Sequence, residues 1–133
     1  IGSPSHDAGT FHLAQALRQI ESYEEGHSYM TALLDRNPYF PGASFLLGLL
    51  SEELNDKEAA EAAYRSSIEH QPDLHGAYLN LAGILEQTER IAEAIEVLES
   101  CLQLELSKKE VASIRESIKL LEGTKNLLGT NSK

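Results

Sequence analysis

Tryptophan is absent from this chain, and cysteine and methionine occur once each among its 133 residues. A lone thiol, Cys101, leaves no internal disulfide framework to hold a small fold together. It suits a reducing compartment, and a cytoplasmic location is the favoured expectation. No apolar run approaches the roughly 18 residues that a membrane-spanning helix requires, so membrane insertion is not expected. Aromatic residues make up only 6% and apolar residues 41%, which suits a thin, two-layer helical array better than a thick sandwich core. The chain opens IGSPSH, without an initiator methionine or a signal-peptide pattern. That opening reads as a processed end or a remnant joined to a domain boundary, so a piece of a longer protein is expected.

Positive charge is scarce as well. Eleven Lys and Arg stand against 21 Asp and Glu, for a net charge of -10. The imbalance is uneven: the last 25 residues sum to +2 and the rest to -12. Nucleic-acid affinity is largely phosphate neutralisation by Lys and Arg, so the acidic region excludes a nucleic-acid partner. A basic or amphipathic protein surface is its natural counterpart. The histidines His6, His12, His27, His70 and His75 share no i, i+4 pairing and no cysteine companion, so neither a metal site nor a cofactor is expected. There is no Gly-rich phosphate loop and no nucleophile elbow, and Cys101 has no base with which to act as a nucleophile. An enzyme is not expected.

What the chain does have is a period. Pro38 and Pro72 stand 34 residues apart, as do Leu13, Leu47 and Leu81; Ala14, Gly48 and Ala82; and Gly26, Ala60 and Ala94. A fixed period of this length is the signature of stacked helix pairs. Residues 1–6 lack periodicity and are expected to be disordered. The first pair is then about Ala8 to Ile20, capped by Asp7, and Tyr23 to Arg36. Its first helix carries Phe11, Ala14 and Leu17, with a second apolar strip at Leu13, Ala16 and Ile20. Asn37-Pro38 stops the pair. The second runs from Pro41 to about Leu54 and from Lys57 to His70, and the third from His75 to Gln87 and from Ile91 to Glu105. Ser107 and Glu110 form a capping box for a seventh helix, Lys108 to Leu121, with Val111, Ile114, Ile118 and Leu121 inward. Gly123 is expected to end it, leaving 122–133 as a flexible tail. The expected fold class is therefore all-α, an α-solenoid of three antiparallel helix hairpins with a seventh, capping helix.

These residues resemble the tetratricopeptide repeat (TPR) family, whose pattern is W-x2-L-G-x2-Y, then A-x3-F, then P. The third repeat supplies Tyr78, Leu81, Ala82, Leu85, Ala94, Leu98 and, where Pro is usual, Leu106. The second supplies Ser44, Leu47, Gly48, Ser51, Ala60, Tyr64 and Pro72, and the first Thr10, Leu13, Ala14, Leu17, Gly26, Met30 and Pro38. The resemblance gives one domain over 7–121, with repeats 7–40, 41–74 and 75–108 and a capping helix 108–121. Gly26, read as a mid-helix glycine, costs about 1 kcal/mol against Ala, so the first repeat is expected to be the least stable.

The resemblance also implies a peptide-binding concave groove built from the first helix of each pair. The implied ligand residues are Phe11, Gln15 and Arg18; Phe45, Leu49, Glu52 and Glu53; and Leu79, Asn80 and Glu86. The family's carboxylate-clamp members place Lys, Arg and Asn on such slots. Here only Asn80 and Arg18 qualify, so chaperone-tail binding is not expected. Phe11, Phe45 and Leu79 instead suggest an apolar ladder flanked by Glu52, Glu53 and Glu86. The implied function is a protein-interaction module, an adaptor or scaffold, whose partner is a protein or peptide with apolar anchors and basic flanks. Two readings stand beside it: a substrate-presenting domain of a larger enzyme, and a small chaperone for a secreted protein. Self-association and a role for the basic C-terminal helix are left open.

Overall fold

The structure, a computed structural model, describes residues 4–131. Seven helices follow one another among the described residues: α1 (Pro4–Gln19), α2 (Tyr23–Arg36), α3 (Ala43–Glu53), α4 (Lys57–His70), α5 (His75–Gln87), α6 (Ile91–Cys101) and α7 (Lys108–Asn131). The class is all-α and the organisation is that of helical hairpins. The chain divides into two compact units between Pro72 and Asp73. The first holds α1–α4 and the second α5–α7.

Each hairpin turns by the same device. Glu21, Asn55 and Glu89 have positive φ, 63°, 60° and 60°, and they lie 34 residues apart. In each turn the next residue's N–H returns to a carbonyl five residues earlier: Ser22 to Leu17, Asp56 to Ser51 and Arg90 to Leu85, at 2.8–2.9 Å. The left-handed residue itself bonds back three, to Arg18, Glu52 and Glu86. This is the Schellman closure, which satisfies the orphan carbonyls at a helix end. Two of the three positions are Glu, which tolerates left-handed backbone less well than Gly.

In the first unit α3 packs against both α2 and α4. Ala14, Met30, Leu33, Ala43, Leu46 and Leu50 form the buried cluster, with Phe11, Tyr23, Phe40, Leu47 and Leu49 against it. Small residues set the spacing: Gly26, Gly48 and Ala60 are all buried. A Cβ at Gly48 would lie 2.4 Å from the Tyr64 ring, so the glycine is what lets α3 and α4 close around that tyrosine. In the second unit α6 packs on α5 and on α7, and Ile114, Ile118 and Leu121 are the buried stripe of α7.

Several expectations are corrected. The stretch expected to be disordered overlaps the first turn of α1, which begins at Pro4; residues 1–3 lie outside the described residues. Proline fits a first turn because its missing N–H is unused there. Asp7 therefore does not cap α1; it is buried inside the helix and pairs with Arg36 at 3.0 Å. The strip Leu13, Ala16 and Ile20 is exposed, with Leu13 at 42% and Ile20 at 70%, because α1 packs through Phe11, Ala14 and Leu17. Helix α3 starts at Ala43 rather than Pro41, since Gly42 stands at φ 84° and cannot be helical. Gly42 donates its N–H to Gln71 Oε1 at 2.8 Å. Helix α6 ends at Cys101 rather than near Glu105, unwinding through i→i+3 bonds to Gln103 and Leu104. Helix α7 passes through Gly123 and runs to Asn131, where the sequence suggests a flexible tail; residues 132 and 133 lie outside the described residues.

Candidate functional site

The ligand residues implied by the sequence fall on α1 and α3 in the first unit and on α5 in the second, and their surroundings differ. Phe11 is half-buried, its ring 5.5 Å from Phe40 and 5.8 Å from His12. A Cβ at Gly42 would meet the Phe11 ring at 3.1 Å, so this ring is wedged onto backbone. Phe45 is half-buried beside Tyr64, ring centroids 5.8 Å apart. Leu49 is half-buried against the first unit's core. In this unit the apolar members of the expected ladder contribute to packing between helices.

Most of the polar members are also engaged. Gln15 is exposed and hydrogen-bonded to His12 at 3.1 Å. Arg18 is half-buried, and its Nε is buried without a partner. Glu52 accepts a hydrogen bond from the hydroxyl of the fully buried Tyr64. That leaves it one oxygen for anything else. Glu53 is exposed and bonds the Tyr23 hydroxyl. This bond, reinforced by desolvation and by the charges of Glu53 and Glu21, pushes the Tyr23 pKa up to about 12. Tyr23 therefore stays a neutral donor across the physiological range.

The second unit is open where the first is filled. Leu79 and Glu86 lie one above the other on α5, seven residues and two turns apart. They line a groove of about 360 Å³ with Gly83, and α7 supplies its other wall through Ser113, Ser117, Leu120 and Thr124. Ala82, Leu98 and Leu121 complete its lining. Leu79 remains 39% exposed, so α7 does not cover it. Asn80 is half-buried and does not line this groove. The sequence reading misses the α7 wall because it weighs only that helix's leucine–isoleucine stripe. The signal is present: Ser113, Ser117, Leu120 and Thr124 follow one another at i, i+4, i+7 and i+11, a second face made mostly of small polar residues.

At the groove's end, the capping box of α7 is formed as expected. Ser107 N–H donates to Glu110 Oε1 at 2.8 Å, and Glu110 N–H donates to Ser107 Oγ at 3.1 Å. Glu110 also pairs with His75 Nε2 on α5 at 2.9 Å, which ties the two groove helices together. The Glu110 carboxyl is held below its usual pKa, chiefly by the Ser107 N–H, then by the Ser107 hydroxyl and by His75. Cys101 is fully buried, and burial together with the Glu110 charge raises its thiol pKa. A protonated, enclosed thiol is a packing residue rather than a nucleophile. Among the described residues no group of three or more His, Cys, Asp or Glu is placed to hold a metal ion, and no helix is long and apolar enough to cross a membrane.

The tetratricopeptide repeat family model matches residues 11–75 and 52–104. No curated protein matches the chain by sequence. Among solved structures, the type III secretion translocator chaperone SycD of Yersinia enterocolitica is similar at TM-score 0.85 and 19% identity, over 93% of this chain and 88% of that one. SycD in complex with a peptide of the translocator YopD is similar at TM-score 0.80 and 23% identity, over 90% and 97%. The first TPR of Spaghetti (RPAP3) bound to the HSP90 peptide SRMEEVD is similar at TM-score 0.79 and 16% identity, over 91% and 96%.

Proposed function

The chain belongs to the tetratricopeptide repeat family, and we propose that it is a non-enzymatic adaptor or scaffold module that holds a peptide or helix of a partner protein. Its ligand-facing residues are Phe11, Gln15, Arg18, Phe45, Leu49, Glu52 and Glu53 in the first unit, and Leu79, Asn80 and Glu86 in the second. The observation that carries this reading is the exposed Leu79 in the α5/α7 groove. An apolar side chain held beside Gly83 and short hydroxyl side chains, with Glu86 two turns along, suits an apolar anchor followed by a basic residue. No nucleic acid, metal or cofactor enters this function.

Affinity capture with wild-type protein, Leu79→Ala/Glu86→Lys and Phe45→Ala/Leu49→Ala, each checked for helicity by circular dichroism, tests the proposal. A protein partner retained by wild type and lost by the first variant at unchanged helicity supports it. A partner held equally by both variants overturns it.

One observation favours a second reading, a small chaperone for an exported protein. The likeness to SycD spans nearly the whole of both chains, so the fold agrees from end to end of that chaperone. A captured client that is protected from proteolysis and carries an export signal would select this reading over the adaptor.

A further inference from the structure

The first unit carries a second cavity that the proposed ligand face does not use. It lies between α2 and α4 with α3 as its floor and has a volume of about 480 Å³. His27, Thr31 and Leu34 form one wall, Ala59, Ala62 and Ser66 the other, and Leu47 and Ser51 lie beneath. The α4 wall is built of residues too small to fill the space. At the floor the Ser51 hydroxyl is fully buried and has no hydrogen-bond partner. An unpaired buried hydroxyl costs roughly 1–3 kcal/mol, so the cavity lacks a polar atom as well as apolar volume.

The rim is acidic. Glu24 and Asp35 stand one turn from His27 and Thr31 on α2; Glu58 and Glu69 stand one turn from Ala62 and Ser66 on α4; all four are exposed. The nearby cations are engaged, Arg65 with Glu61 and Arg36 with Asp7, each at 3.0 Å. An apolar trough edged by carboxylates fits a helix face with large apolar side chains, one hydroxyl and flanking cations.

This chain contains such a face. Helix α7 continues ten residues beyond Leu121, the last buried residue among those described, a length of about 15 Å at 1.5 Å per residue. On this extension Leu127 is 66% and Leu128 45% exposed. Lys125 lies between them and Thr124, and residues 123–133 carry two lysines and no acidic residue in a chain whose total charge is -10. The Thr124 hydroxyl donates to Leu120 O at 3.2 Å, which leaves its oxygen able to accept a hydrogen bond from Ser51. The lining runs from Ala59 to His70 on α4, about 16 Å at 1.5 Å per residue, so the trough is long enough to take the leucine side chains of the extension.

We propose that the α2/α4 cavity receives the C-terminal end of α7 from a second copy of this chain, with Leu127 and Leu128 in the trough and Lys125 at its acidic rim. Sedimentation velocity over a concentration series tests this with the whole chain, Leu127→Asp/Leu128→Asp and Ala62→Arg. Both variants change exposed positions, and circular dichroism verifies their helicity. The wild type is expected to shift from one chain towards two and larger species as concentration rises, because every copy offers both a cavity and a helix end, and each variant to remain at one. Mixing the two variants is expected to restore a 1:1 pair, because one retains the cavity and the other the helix end. A wild type that stays at one chain, a variant that associates like the wild type, or a mixture that fails to pair overturns the proposal.

Discussion

The two units share one hairpin plan and use their aromatic residues in opposite ways. All three phenylalanines, Phe11, Phe40 and Phe45, and four of the five tyrosines lie before Pro72, while Tyr78 alone lies after it. In the first unit rings occupy the spaces beside α1 and α3: Phe11 on Phe40 and Phe45 on Tyr64. In the second unit the corresponding space beside α5 is faced by Gly83, Ser113 and Ser117 and stays open. The same repeat position can therefore be a packing slot or a groove wall, depending on whether its neighbour is a ring or a small side chain.

Three substitutions sharpen or break that contrast. The largest effect is expected at Gly48, where an added Cβ would meet Tyr64 ring atoms at 2.4–2.9 Å. Tyr64 is fully buried and bonded to Glu52, so its ring cannot swing away cheaply. Gly48→Ala should lower unfolding stability by about 2–3 kcal/mol, measured by denaturant titration; an unchanged midpoint would mean that the first unit is as loosely filled as the second. At Gly83, also inside a helix, an added Cβ would meet nothing within 4 Å. Gly83→Ala should raise stability by up to about 1 kcal/mol through helix propensity alone, while narrowing the groove beside Leu79. A loss of stability there would show that the second unit is packed as tightly as the first.

The third concerns α7's first turn. Ser107→Ala should cost about 1 kcal/mol at neutral pH. The pH dependence follows from the depressed Glu110 carboxyl. The unfolded chain takes up this proton near pH 4.5 and the folded chain only at lower pH. The contribution is therefore present above about pH 4.5 and is lost as pH falls through the folded value. Stability of the wild type should decline on acidification more steeply than that of Glu110→Gln, read from thermal midpoints at pH 7 and pH 3.5.

Much of the fold is legible in the sequence because its signals are local. Tyr23–Arg36, Lys57–His70 and His75–Gln87 begin and end where the periodicity and breakers place them, and the Ser107–Glu110 box forms as the spacing requires. The errors have local causes too. Gly123 resembles a helix stop, but only a left-handed conformation makes a glycine one, and among the described glycines Gly42 alone has positive φ. Gly26 is a different case: it is the fourth residue of α2, and a Cβ there would meet Leu50 Cδ2 at 3.2 Å, so its smallness serves the approach of α3 alongside whatever it costs the helix. The candidate site is less legible, since exposure at Leu79 and burial at Phe11 depend on what stands opposite, and a single helix face does not encode that.

The three turns at Glu21, Asn55 and Glu89 have a consequence for how such a chain can change. Each closes with hydrogen bonds confined to its own hairpin, so no turn depends on another for its geometry. A whole 34-residue cassette can be duplicated or lost without rewiring its neighbours' backbone. A single residue inserted inside a helix is a different event: it rotates the rest of that helix by about 100° at 3.6 residues per turn and carries its apolar stripe out to water. Length should therefore vary by entire repeats and hardly at all within the helices.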